Sequence, residues 1–455
     1  MNHFLTKQKI TVDLSKIKKG EAKLKIDLPY GKKNISFTIP DDNLQVIKPK
    51  VPSFSKTNEE VLEEAFNNPP GKVRLEEIVE GKRVCALVED STRGQPHAQQ
   101  IEAAAKRLKK ASFVQYIITT GSHSPQTEGN LKIVEYIKNS ARKNNLNYDV
   151  FIHSCESENL IEVGVTSRGT RVVVEKCVMD VDLFFVTANM KNHYFAGYCN
   201  AVKNFLPGLC SFETIEQNHK LALEENAIFG HHPWHPDPER RNNPVSEDMI
   251  EAMNLITGGK PVYVLATVGS KNLIWASFGE IKTVTVEGMK IIDKTTSFHL
   301  APSKYVIVSP GGYPGDETLY IAQRGLDLVK NAIEDNGEVL LVASCNGGYK
   351  GLGPSEKAKR FFYDSLTIDK PKGKLAKEIK KGYRLFKQKA YKLAEIVDRV
   401  DRIWLYSELD DEVVKKAHLY PTHNIQKIID GWLEKDPTTK ILVFKEANKL
   451  AVYAK

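Results

Sequence analysis

Apolar and polar residues alternate from Ala22 to Leu28 and again from Asn34 to Ile39, with Pro29-Tyr30-Gly31-Lys32 between the two runs. A period of two interrupted by a proline–glycine turn predicts an antiparallel hairpin. Over Asn58–Asn67 the apolar positions recur at helical spacing, and Asn68-Pro69-Pro70-Gly71 stops that helix. The pattern then switches repeatedly. Arg83–Glu89 and Phe113–Thr119 are short apolar runs that predict strands, whereas Pro96–Ala111 and Glu128–Ser140 predict helices. Tyr148–His153, Thr170–Val174 and Asp182–Thr187 read as further strands. Strands that alternate with helices predict a mostly parallel sheet covered on both faces.

A second α/β unit is expected from about Lys290. Its strands are Lys304–Ser309 and Glu338–Ser344, its helices lie in Thr318–Ile333 and Lys374–Val397, and a strand at Arg402–Ser407 precedes further helices to Leu433. The fold class is therefore α/β: two α/β domains with mostly parallel sheets and an active site in the cleft between them. The domain division is expected at residues 1–285 plus about 400–455 for the larger, cofactor-binding domain and 286–399 for the smaller C-terminal one.

Composition narrows the function classes. A chain of 455 residues with 41% hydrophobic and 27% charged residues is an ordinary globular protein of more than one domain. The net charge of +8 is spread over many segments, and its densest cluster, Lys370 to Lys380, reads as a solvated face. Without a basic stripe interleaved with aromatics, nucleic-acid binding is not expected. No run of 18 apolar residues occurs, so no membrane span is predicted, and Met1–Gly20 lacks the apolar core of a signal peptide. The cysteines Cys85, Cys155, Cys177, Cys199, Cys210 and Cys345 form no C-x-x-C pair. They suit a reducing compartment, and a cytoplasmic protein is expected.

Ligands of open α/β sheets bind beyond the carboxyl ends of the strands, and three such segments stand out. Asp90-Ser91-Thr92-Arg93 follows the first α/β strand and offers a carboxylate, two hydroxyls and a guanidinium, which equally well describes a helix N-cap. Thr120-Gly121-Ser122-His123 follows the next strand and places a histidine where acid–base work is done. The third runs from Asn192-His193 through Ala196-Gly197-Tyr198 and Lys203 to Leu206-Pro207-Gly208, and on to His219. The offsets of ten and sixteen between His193, Lys203 and His219 match neither a helical face nor a zinc motif. His231-His232-Pro233-Trp234-His235 is a further histidine cluster, read from its prolines as an exposed loop or lid.

Together these segments resemble the nickel-pincer nucleotide-dependent lactate racemase family. Asp90-Ser91-Thr92-Arg93 is similar to its D-x-T-R signature, Thr120-Gly121-Ser122-His123 to its T-G-x-H element, and His193 to Gly208 to its H-x-x-A-G-Y…K…P-G stretch. Pro29–Lys32, Ile39–Asn43, Asn68-Pro69, Asn243-Pro244-Val245, Gly311–Asp316 and Lys389-Ala390 also fit, in the same order along the chain. The resemblance implies a nickel-pincer nucleotide, a pyridinium dithio mononucleotide joined to Lys203 with nickel held by His219. It also implies Asp90, Thr92 and Gly208 as further cofactor contacts, His123 and His193 as catalytic bases, and Arg93 as the substrate's carboxylate anchor. The implied partners are a small 2-hydroxy acid and the enzymes that make the cofactor.

Two departures change the picture. The family carries Gly-Gly-Arg ahead of its lysine, where this chain has Asn200-Ala201-Val202, and a Gln and a Lys facing the substrate, where it has Ile321 and Arg324. An apolar wall at Ile321 and a forked cation at Arg324 predict a substrate other than lactate. Two alternatives stand beside a racemase: a nucleotide-binding homologue altered at 200–202, and a 2-hydroxy acid dehydrogenase. The latter needs G-x-G-x-x-G after the first α/β strand, and Asp90-Ser91-Thr92-Arg93-Gly94 does not supply it.

Overall fold

The computed structural model describes residues 23–50 and 55–455. The readings made on Met1–Gly20 and Ala22 lie outside them. Two parallel-dominated sheets organise the described chain. The first has seven strands, in spatial order Leu273–Glu280, Val262–Gly269, Leu183–His193, Arg83–Glu89, Phe113–Thr119 and Tyr148–Ile152, with Gly197–Cys199 folded back on Leu183–His193. Its central neighbours are parallel, and Leu273–Glu280 is an antiparallel edge. Alternate residues of Arg83–Glu89 enter different cores: Val84, Ala86 and Val88 one, Cys85 and Leu87 the other. Burial on both faces explains why this strand reads as a continuous apolar run.

The second sheet has six strands in the order Tyr420–Pro421, Arg402–Tyr406, Ile333–Val342, Ser303–Val308, Ile441–Phe444 and Leu44–Ile47, all parallel. The tail was expected with the first domain. Instead Arg402–Tyr406 and Ile441–Phe444 pair within the second sheet, and so does Leu44–Ile47 from the other end of the chain. The hairpin Lys23–Tyr30/Lys33–Pro40 forms as expected and packs Ile26, Leu28 and Ile39 with Tyr305, Ile307 and Trp432 on one face of this second sheet. The boundary near Lys290 also falls inside a helix, Ile281–Thr296.

Other elements follow the sequence closely. The helix Asn58–Asn67 forms with a capping box in which Thr57 and Glu60 satisfy each other's backbone amides. Lys374–Val397 resolves into two helices, Leu375–Ile379 and Lys387–Arg399. Among the described residues no helix is long and apolar enough to cross a membrane.

Candidate active site

Three adjacent parallel strands deliver the site. Arg83–Glu89 lies between Leu183–His193 and Phe113–Thr119, so the Arg93 loop emerges with His193 on one flank and the His123 loop on the other. The capping reading of Asp90-Ser91-Thr92-Arg93 does not hold, since Asp90 makes no side-chain cap bond and neither does the residue before the helix His97–Ala105. The Asp90 carboxylate, 1% exposed, instead accepts a 2.6 Å hydrogen bond from Nδ1 of His123, and its other oxygen accepts one from the Thr92 hydroxyl at 2.7 Å. Burial opposes the charge on Asp90, but His123, Arg93 and the Thr92 hydroxyl outweigh it and hold the carboxyl down at about 2. With Nδ1 committed to Asp90, Nε2 is the His123 atom left to exchange a proton. The His123 side chain is 44% exposed, so this base faces open space.

His193 differs from His123. It closes a strand that runs six residues beyond the expected end at Thr187, through Ala188 to His193. Its Nδ1 accepts the backbone N–H of Ala196 at 3.1 Å, which leaves the proton of the neutral ring on Nε2. Burial, with the charges of Lys203, Arg324 and Arg93 around it, pushes this imidazole well below the usual histidine range. The two histidines therefore differ at Nδ1, which faces the Asp90 carboxylate in His123 and accepts a backbone N–H in His193.

Lys203 sits in the short turn Ala201–Asn204, started by Asn200, whose Oδ1 accepts the Val202 N–H. Gly208 fastens the turn. Its N–H reaches the Lys203 carbonyl at 2.9 Å, and a Cβ there would lie 2.2 Å from the Asn204 carbonyl oxygen. Only glycine tolerates that approach. Lys203 is 7% exposed, and burial lowers its amine to about 8. His219, on the helix Phe212–Lys220, is 9% exposed and pushed down to about 3 by burial and by Lys203. Its Nδ1–H donates to Asn218 Oδ1 at 3.1 Å, and Asn218 in turn donates to Asp248 Oδ2 at 2.8 Å. The tautomer is thereby fixed and Nε2 is left as a lone-pair donor, the arrangement that protein metal ligands require.

Arg324 reaches over from the second unit on the helix Leu319–Leu328 and donates from Nη2 to the Asn192 carbonyl at 2.8 Å. Ile321 lies one turn earlier on the same helix, partly buried. The structure thus gathers His123, His193, Lys203, His219, Arg93 and Arg324. Thr92 touches Asp90 and Gly208 fastens the Lys203 turn, while Ile321 stands at the margin.

Models for the lactate racemase N-terminal and C-terminal domains match residues 30–230 and 299–446. The chain belongs to the lactate racemase family. Among its family relatives, the lactate racemase of Thermoanaerobacterium thermosaccharolyticum is 27% identical over 338 residues, covering 72% of this chain and 76% of that protein. The lactate racemase of Lactiplantibacillus plantarum is 25% identical over 359 residues, covering 76% and 79%. The fold matches the solved lactate racemase apoprotein from T. thermosaccharolyticum with a TM-score of 0.78 at 23% identity, covering 94% of this chain and all of that one. A Thermotoga maritima protein of solved structure shares the fold at a TM-score of 0.62 and 14% identity, covering 88% of this chain and 98% of that one.

Other members of the site were not legible in the sequence. Lys191, two residues before His193 on the same strand, and Glu89, whose Oε2 accepts the Asn189 N–H at 2.8 Å, flank the constellation. Strand periodicity through Met190 and Lys191 is the signal that could have found Lys191. The His231–His235 segment is a correction: His232 and His235 are 1% and 4% exposed, not parts of an open loop. His232 Nε2 lies 3.0 Å from Asn200 Nδ2, while His235 joins Asp293 at 3.2 Å in a network with Arg240 and Tyr198. Among the described residues no three His, Cys, Asp or Glu side chains group as a metal cage.

Proposed function

We propose that this chain is a cytoplasmic racemase or epimerase of a small 2-hydroxy acid other than lactate, working by proton-coupled hydride transfer to a nickel-pincer nucleotide. The observation that carries the reading is the strand order, which sets His123 and His193 on opposite flanks of Arg93. A racemase must serve two mirror-image substrates, and a carboxylate held centrally by Arg93 offers its hydroxyl to either side. The residues present fit the cofactor. Lys203 is a buried amine of lowered basicity, suited to a covalent link, and His219 is a neutral imidazole with Nε2 free, a sensible nickel ligand.

The C2 hydrogen of a hydroxy acid is not acidic, so inversion through a carbanion is costly. When bound, the nucleotide supplies an acceptor for that hydrogen as hydride. The protein handles the proton. His123 takes the hydroxyl proton at Nε2, and Asp90 steadies the imidazolium through the 2.6 Å bond at Nδ1. On the other flank His193 donates through Nε2–H to the substrate oxygen. To act as a base itself it must release the Ala196 amide from Nδ1. Asp90 and Thr92 act on the nucleotide side only through the loop they stiffen, and Gly208 through the Lys203 turn.

Intact-mass and metal analysis of protein co-produced with the cofactor-making enzymes tests this reading. The expected result is an adduct on Lys203 with one nickel, absent in Lys203→Ala. Turnover in D2O should invert the substrate without placing deuterium at C2. Deuterium incorporation at C2, or full activity of Lys203→Ala, would refute the mechanism; protein that never acquires an adduct would favour the altered nucleotide-binding homologue.

A further inference from the structure

Burial opposes a charge on Cys199, but four cations, Arg324, Lys191, Arg93 and Lys203, lie near enough to outweigh it and lower the thiol. Lys191 and Cys199 are cross-strand partners between Leu183–His193 and Gly197–Cys199, and Arg324 is bonded to the carbonyl of Asn192 next door. Of the four, only Arg93 lies within ion-pair distance of carboxylates among the described residues, 3.8 Å from both Glu89 and Asp90. Asp90 is already engaged by His123 and Thr92. Burial pushes Glu89 up, which weakens the one remaining counter-charge. The Nε atoms of Arg93 and Arg324 are buried without a hydrogen-bond partner.

Lys203 is buried and Arg93, Lys191 and Arg324 are partly buried; cations withdrawn from water without a counter-ion are costly, and an excess of them around a site fits an anionic ligand. A substrate carboxylate on Arg93 still leaves Lys191 and Arg324 with no carboxylate partner among the described residues, although Arg324 holds the Asn192 carbonyl.

We propose that Lys191 and Arg324 form a second carboxylate subsite, so that the substrate is a 2-hydroxy dicarboxylic acid with its C1 carboxylate on Arg93. The inference rests on the function proposed above but is tested apart from it. Arg324 supplies a forked pair of donors and Lys191 a point charge on the same strand as His193. The apolar Ile321 on the preceding turn leaves a short methylene bridge without polar competition.

The test is calorimetric titration of the cofactor-free full-length protein with malate, lactate and inorganic phosphate. Malate is expected to bind at least tenfold tighter than lactate. Lys191→Met is expected to weaken malate by about 10- to 100-fold, the range for a lost charge-assisted hydrogen bond, and to leave lactate within twofold. Lys191→Arg should recover most of the malate affinity. Equal losses for malate and lactate, a larger loss for phosphate than for malate, or no malate binding would overturn the proposal. Because the readout needs neither nickel nor turnover, malate binding without racemisation would sink the proposed reaction and spare the subsite.

Discussion

Replacing Asp90 by asparagine isolates the His123–Asp90 pair. The carboxyl falls from its ordinary 3.8 to about 2 in the folded protein. A depressed carboxylate contributes stability that is complete above its unfolded value and is lost as pH falls through the folded one. A shift of this size corresponds to about 2 kcal/mol at neutral pH. Asparagine imitates the protonated carboxyl, so Asp90→Asn should lower urea-unfolding stability by about 2 kcal/mol at pH 7. The difference should persist down to about pH 4 and shrink toward pH 2. Catalysis should suffer more than stability. The amide can donate to Nδ1 and so turn the ring to the tautomer with its proton on Nε2, which costs a positioned base roughly 10²–10⁴-fold in kcat. Equal stability of the two proteins at pH 7 would refute the assignment of Asp90 as the charged partner of His123. Retained kcat with reduced stability would leave the pair structural and remove His123 from the chemistry.

Further outcomes follow from the same geometry. Competitive acetylation of the cofactor-free protein, read by mass spectrometry, should show Lys203 reacting with a midpoint near pH 8, because its amine loses its proton as pH rises through about 8 while exposed lysines are still gaining reactivity. His219→Ala should lose nickel from the loaded protein but keep the Lys203 adduct, as metal analysis and intact mass would show. Asp293→Asn removes the carboxylate shared by Tyr198, His235 and Arg240. It should destabilise the protein by about 2 kcal/mol in denaturant, less than the cost of breaking a fully buried pair. His232→Leu should slow adduct formation without a comparable loss of stability, since His232 lies against Asn200 at the start of the Lys203 turn.

Much of this site was readable because strand ends and turn residues are local signals. The runs Arg83–Glu89 and Phe113–Thr119 fall where their apolar residues put them, and the loops beyond them bring in Asp90, Arg93 and His123. The strand ending at His193 was half hidden. Alternation continues through Ala188-Asn189-Met190-Lys191 but breaks at Asn192, and the polar side chains on this stretch are satisfied inside: Asn189 by Gly269 and Asn192 by Thr296. Lys191 was overlooked because a lysine defaults to the surface, and only tertiary structure puts it beside Cys199 and Arg324. The tail was misplaced for a related reason. The apolar run in Arg402–Tyr406 suits either sheet, and pairing with Ile333–Val342 is decided by non-local contacts. The prolines around His231–His235 marked irregular backbone correctly but said nothing of Asp293, which draws His235 inward.

The strand order also acts as a ruler. Neighbouring strands in a sheet run about 4.8 Å apart, so the ends of Leu183–His193, Arg83–Glu89 and Phe113–Thr119 mark out a span of about 10 Å. Backbone hydrogen bonding between the strands therefore fixes how far apart the loops that carry His123, Arg93 and His193 begin.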